Sequence, residues 1–179
     1  MTERGFSMLQ IEEAQAMLTA QVQKIEETER VSLAEAYGRV LAEDAAARRD
    51  QPPFPRSPLD GYAVKAADVA SASKESPAVL QVIGKIYAGT AFAGTVGAGQ
   101  AVRLMTGTPI PEGADTVIRQ EDTLAEAETV QIFASSEPYR NYCFQGEDYK
   151  AGTVLLQKGR RLNAGAIAVL SSLGAAEVS

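Results

Sequence analysis

The chain predicts an α+β fold in which a β-rich, barrel-like domain is inserted into a mixed platform of helices and strands. Three observations carry that expectation. Apolar residues recur at helical spacing near the N-terminus, short strand-like runs broken by glycine and proline fill the middle, and a capped helical pattern returns near the C-terminus. Residues 51–58, Gln-Pro-Pro-Phe-Pro-Arg-Ser-Pro, suit neither a helix interior nor a central strand and form a semi-rigid crossing. The expected division is a platform made of residues 1–50 and 149–179, with residues 51–148 as the insertion.

Ser7-Met8-Leu9-Gln10 has the layout of a capping box, and Ile11, Leu18, Val22 and Ile25 follow on one helical face with Ala14. Glu12, Glu13, Gln23 and Glu26 take the opposite face. The pattern predicts an amphipathic helix over residues 8–27, whose apolar stripe must be buried against a further domain or a second subunit. Ser32-Leu33-Ala34-Glu35 repeats the capping signature in a short helix closed by Gly38, and residues 39–47 leave it as an extended strand. Strand-like runs follow at 79–83, 101–105, 116–120 and 129–133. Gly94 to Gly99 reads as a hairpin connection, since no helix signal follows it to make a phosphate cradle. A strand is predicted at 153–156. Asn163 caps a helix running to Leu173, apolar around much of its circumference and stopped by Gly174. The last residues, Ala175 to Ser179, begin a further strand, which suggests a truncated chain.

Composition narrows the chemistry. With 179 residues and 45% hydrophobic content the chain can build a real core. Its formal charge of −6 opposes nucleic-acid binding, which needs a basic face. No apolar run approaches the roughly 18 residues that suggest a membrane span. The opening Met1-Thr2-Glu3-Arg4-Gly5 lacks the layout of a signal peptide. One cysteine, Cys143, cannot form an internal disulfide, so a cytoplasmic location is expected. The absence of histidine removes histidine-based triads and metal sites, and no Walker-type loop is present. What remains is carboxylate, hydroxyl, Lys or Arg chemistry, with hard cations such as Mg²⁺.

Two places put a carboxylate beside a glycine in what reads as loop: Asp60-Gly61, within Ser57-Pro58-Leu59-Asp60-Gly61-Tyr62-Ala63-Val64, and Gly146-Glu147-Asp148. Such turns hold an acid outside the core, where it can meet a metal or a proton. Thr106, next to Gly107, offers a hydroxyl and backbone N–H to an oxyanion. The ordinary alternatives are a turn aspartate at 60, a local cap at 148 and a strand end at 106. Glu147 reads as a structural or solvated neighbour, Arg103 and Arg119 as cross-strand partners, and Cys143 as a small buried hydrophobe.

These motifs resemble the N-terminal half of the molybdopterin molybdenumtransferase family, which includes MoeA and the gephyrin E domain. The resemblance rests on Ser57 to Val64, on Val102-Arg103-Leu104-Met105-Thr106-Gly107-Thr108-Pro109-Ile110-Pro111-Glu112-Gly113-Ala114-Asp115, on Gly146-Glu147-Asp148, and on Leu162 to Val178 with its Ser172-Leu173-Gly174. It implies a MoeA N-terminal-region fold. It also implies insertion of molybdate into adenylylated molybdopterin with release of AMP, assisted by Mg²⁺. Asp60, Thr106 and Asp148 would be the site residues, with Asp60 and Asp148 as Mg²⁺ ligands. The family is dimeric, with the site shared between the β-rich domain of one subunit and the pterin domain of the other. That pterin domain is absent here, so the fragment alone is expected to be inactive. A molybdopterin adenylyltransferase and recipient molybdoenzymes are the partners the resemblance implies. Two departures stand out: Arg56 where the family often has Asn, and Cys143 where many members carry an arginine. Two other readings stay open, a non-catalytic scaffold module like gephyrin and a hydrolase using Asp60 and Asp148 as an acid/base pair.

Overall fold

The structure is a computed structural model that describes residues 9–179; the Ser7 end of the expected capping box lies outside them. The first helix, α1 (Ile11–Gln21), is shorter than the periodicity predicts. Its N-cap is Gln10, whose backbone N–H donates to Glu13 Oε2 at 3.2 Å. It ends where Val22 turns extended. No residue of α1 is buried, and its last turn holds no basic residue to complement the helix dipole. Without a packed face, a short helix gains little from continuing.

Short strands from the two ends of the chain pair with each other. Strand β1 (Val31–Ser32) leads into a 3₁₀ turn at Leu33–Glu35, where Ser32 Oγ donates to Glu35 Oε2 at 2.7 Å. Strand β2 (Ala45–Ala46) is only two residues long; most of the expected 39–47 strand is irregular. β1 will pair with the final strand and β2 with the ninth, both antiparallel.

Residues 61–132 contain one curled six-stranded sheet. Its strands are β3 (Gly61–Val64), β4 (Ala78–Lys85), β5 (Gln100–Leu104), β6 (Thr116–Arg119), β7 (Thr123–Ala125) and β8 (Thr129–Ile132), with the one-turn helix α2 (Ala66–Val69) after β3. They lie in the order β6-β3-β5-β4-β8-β7. The Gly-Tyr-Ala-Val stretch, read as loop from its Asp-Gly turn chemistry, is thus an interior strand with all four residues buried. Both its faces are covered: Tyr62 and Val64 belong to a core with Leu80, Ile118, Val130 and Ile132, and Ala63 to one with Val102, Leu104 and Val117. A strand buried on both faces shows no polar alternation, which hides it from pattern reading. β4 and β5 run parallel, so the residues between them form a crossover and not the expected hairpin.

After the six-stranded sheet come β9 (Val154–Leu156), α3 (Ala164–Ser172) and β10 (Glu177–Val178). Asn163 Oδ1 accepts from Ala166 N at 2.9 Å, the predicted cap, and Gly174 at φ 75° ends the helix. Only one face of α3 is buried, through Ala166 and Leu170; Ala168 is exposed. Those two residues join Ala36, Leu41, Leu156, Leu162 and Val178 in a third hydrophobic core.

Candidate active site

The proline-rich crossing acts as a strap pinned along its length. Asp148 N and Tyr149 N donate to Gln51 O at 2.9 and 3.2 Å, and Gly146 N donates to Pro52 O at 2.9 Å. Arg56 and Cys143 exchange two backbone bonds of 3.0 Å. Farther along, Ser57 N donates to Thr108 O at 3.0 Å and Gly107 N to Ser57 O at 2.8 Å. The strap therefore carries the 143–149 loop at its first end and the 106–110 turn near its second, then feeds directly into β3.

Asp60 is the residue that enters β3. Its Oδ1 accepts from Thr106 N and from Thr106 Oγ1, both at 2.7 Å. Pairing of Gly61 with Leu104 brings Asp60 and Thr106 to the same end of the β3–β5 ladder. The turn beyond β5 needs glycine at Gly107, where φ is 81°. The Thr106 hydroxyl, the Thr106 backbone N–H and the nearby Arg103 guanidinium hold the Asp60 carboxyl below its usual range, against a smaller opposing effect of burial. Asp60 is thus ionised at neutral pH, and its Oδ2 accepts no hydrogen bond among the described residues. Arg103 is itself fixed, donating to Tyr62 Oη at 3.1 Å and Gln120 Oε1 at 2.7 Å.

Asp148 sits at the opposite end of the strap, exposed, and its carboxylate makes no hydrogen bond among the described residues. The structure joins Asp60 to Thr106 and leaves Asp148 apart from both. Glu147 has a local structural task, accepting from Phe144 N at 2.9 Å. Arg119 pairs with Asp122, three residues on. Cys143 is half-buried rather than enclosed.

One residue, Asp50, escaped the sequence reading, and Arg56 entered it only as a departure from the family pattern. Asp50 Oδ2 accepts from Gln145 Nε2 and Oδ1 from Ala151 N, each at 2.9 Å. The Ala151 backbone bond, then the Gln145 amide, then Lys150 keep its carboxyl below the usual range, so Asp50 clamps the start of the strap to the 145–151 loop. No local signal marks it, because both partners are about a hundred residues away. Arg56 carries a buried Nε with no hydrogen-bond partner among the described residues. A buried, unpaired guanidinium nitrogen is costly and calls for an acceptor supplied from elsewhere.

No cluster of three or more His, Cys, Asp or Glu residues that could hold a metal occurs among the described residues. Mg²⁺ accepts one or two protein carboxylates and fills its remaining positions with water and phosphate oxygens. Asp60, ionised with a free Oδ2, fits one such position. Asp148 fits a second only for a bound group that spans the strap.

Comparison with known proteins agrees with this architecture. Residues 9–174 match the family model described as the MoeA N-terminal region, domains I and II. The molybdopterin molybdenumtransferase of Bacillus subtilis strain 168 is 45% identical over 160 residues, covering 87% of this chain and 37% of that protein. The molybdopterin molybdenumtransferase of Staphylococcus epidermidis RP62A is 42% identical over 148 residues, covering 83% and 35%. The crystal structure of the molybdopterin biosynthesis moeA protein from Pyrococcus horikoshii OT3 superposes with a TM-score of 0.89 at 41% identity, over 93% of this chain and 44% of that one. The chain thus spans little more than a third of the length of these curated relatives. Its matched region, fold and motif order make this chain a member of the MoeA N-terminal region family.

Proposed function

We propose that this chain is the N-terminal part of a cytoplasmic molybdopterin molybdenumtransferase, which inserts molybdate into adenylylated molybdopterin and releases AMP. The carrying observation is the Asp60–Thr106 pair: an ionised carboxylate, locked through one oxygen and open through the other, at the rim of the β-rich insertion. Its substrates are anions, so the Asp60 charge is productive only through a cation. Mg²⁺, when bound, would neutralise phosphate oxygens as the adenylate leaves. Thr106 fixes the orientation of the carboxylate, and Arg56 offers an unpaired donor to an anionic group. Asp148 serves as a second acid on the 143–149 loop.

In this reading residues 1–50 and 149–179 form the platform and residues 51–148 the insertion. The site is completed by the pterin domain of a second subunit, so the chain alone is inactive and the whole protein works as a homodimer. A molybdopterin adenylyltransferase upstream and molybdoenzymes downstream are its partners. The uncovered apolar residues of α1, with Ile11 81% and Leu18 72% exposed, support a second reading as a scaffold-type binding module.

The test is complementation of a cell deficient in molybdenum insertion with the full-length gene, as wild type, Asp60→Asn and Asp148→Asn. Loss of molybdoenzyme activity in the Asp60 variant, with normal protein levels, is the expected result. Unimpaired activity in both variants would remove the site assignment and leave the family membership untouched.

A further inference from the structure

The segment after β8 doubles back along the edge strand β6 in an unusual conformation. Tyr139 and Asn141 both adopt left-handed backbone angles, φ 64° and 54°, and Arg140 lies between them. Asparagine tolerates that region, whereas a tyrosine there is uncommon and persists only when its surroundings hold it. Here they do. Tyr139 N donates to Asp115 O at 2.6 Å, and Asn141 Nδ2 donates to Val117 O at 2.9 Å. The Arg140 carbonyl accepts from Val117 N at 3.2 Å and Thr116 Oγ1 at 3.1 Å. The Tyr139 ring packs against Tyr142 and Phe144, with centroids 5.4 and 5.3 Å away. Every neighbour of Arg140 is thus accounted for, while its own guanidinium makes no hydrogen bond or ion pair among the described residues.

Arg140 lines a cavity of about 370 Å³ together with Arg119, Asp122, Ser135, Ser136 and Asn141. Asp122 is already committed, accepting from Arg119 Nε at 2.9 Å and lying 2.8 Å from Arg119 Nη2. Ser136 Oγ is engaged with Thr116 Oγ1 at 2.7 Å. Two arginines and one aspartate are its charged lining residues, so that lining is net positive in a chain of net charge −6. On its far side Arg140 borders a second concavity with Asp115 and Glu137. Asp115 Oδ1 there accepts from Ala66 N at 2.6 Å, and Glu137 is exposed. Among the polar side chains lining the first cavity, Arg140 and Ser135 are the ones that make no hydrogen bond or ion pair among the described residues.

We propose that this cavity binds a small tetrahedral oxyanion, either free or as the terminal group of a phosphate ester, with Arg140 as its principal ligand. The planar fork of arginine meets two oxygens of such an anion at once, and a neighbouring hydroxyl takes a third. The volume leaves room for hydrating water or a short ester substituent. Neither Asp60 nor Thr106 lines the cavity, so the proposal stands apart from their assignment.

Calorimetric titration of the full chain at low ionic strength tests it, with inorganic phosphate, molybdate and AMP as separate probes. Saturable one-to-one binding of at least one probe is expected, weakened roughly tenfold or more in Arg140→Ala and less in Arg140→Lys, which keeps the charge without the fork. The tighter probe identifies the source of the oxyanion. Ser135→Ala should weaken binding severalfold, and it carries the test with Arg140→Lys if thermal melting shows Arg140→Ala to be misfolded. No saturable binding of any probe, or equal binding by wild type and the Arg140 and Ser135 variants, overturns the proposal. So does loss of binding in Asp60→Asn, which would place the anion at the other site.

Discussion

The strap at 51–60 and the helix α1 invert the usual relation between regularity and support. The strap has almost no regular secondary structure, yet backbone bonds from two distant loops hold it on both sides. α1 is a regular helix with a capping arrangement, yet it buries nothing. Regular hydrogen bonding within a segment is therefore no guide to what holds that segment in place. For the strap, support comes from pairing across the fold; for α1, it must come from outside the described residues.

That contrast breaks most sharply at the strap's exit into β3. A Cβ at Gly61 would overlap the Ile118 carbonyl oxygen of the neighbouring strand. Gly61→Ala should cost about 3 kcal/mol or more, as overpacking against immobile backbone does, and shift the urea midpoint far down. Asp60 would then lose its register with Thr106.

Helix caps give a finer comparison. Asn163→Ala removes the cap of α3, whose face is packed, and should lower stability by about 1 kcal/mol in the same urea assay. Gln10→Ala on α1 should leave the global unfolding transition where it is, because α1 frays without disturbing either core.

Acid titration sharpens the strap side. Asp50 and Asp60 both titrate below the ordinary 3.8 in the folded state. The stabilisation they give is complete above that ordinary value and is lost as pH falls through their lowered folded values. Thr106→Val deletes the largest cause of the Asp60 shift. The variant should therefore fall short of wild type near neutral pH, and the gap should close as pH drops below 3.8 in urea midpoints measured across the acid range. A gap that stays constant with pH would show that Thr106 does not act through the Asp60 charge.

Small stability changes are likewise expected at the exposed apolar residues on α1 and just beyond it. Leu18→Lys and Ile25→Lys, at exposed positions, should alter stability by no more than about 0.5 kcal/mol. Sedimentation is the informative measurement there. If α1 contributes to self-association, the double variant should shift the chain toward monomer.

What the sequence made legible follows from the range of the interactions involved. The Asn163 cap, Gly174 and the runs at β4, β5, β6 and β8 are local, and composition at each place announces them. Gly61 to Val64 was concealed because burial on both faces erases alternation and an Asp-Gly pair imitates a turn. The parallel pairing of β4 with β5 was equally hidden, since glycine punctuation marks a break without giving its direction. At the site, Asp60 and Thr106 were identifiable as chemistry-bearing residues, but their mutual bond depends on strand register. Asp50 had no signature at all, because its partners lie so far along the chain.

The antiparallel match of Val31 with Val178 imposes an order on synthesis. A ribosome adding roughly 5–20 residues per second delivers the partner of β1 on the order of ten seconds after β1 itself emerges. Throughout that interval the six-stranded sheet can fold behind it, while the nascent N-terminal edge stays open to chaperones, proteases or a neighbouring copy.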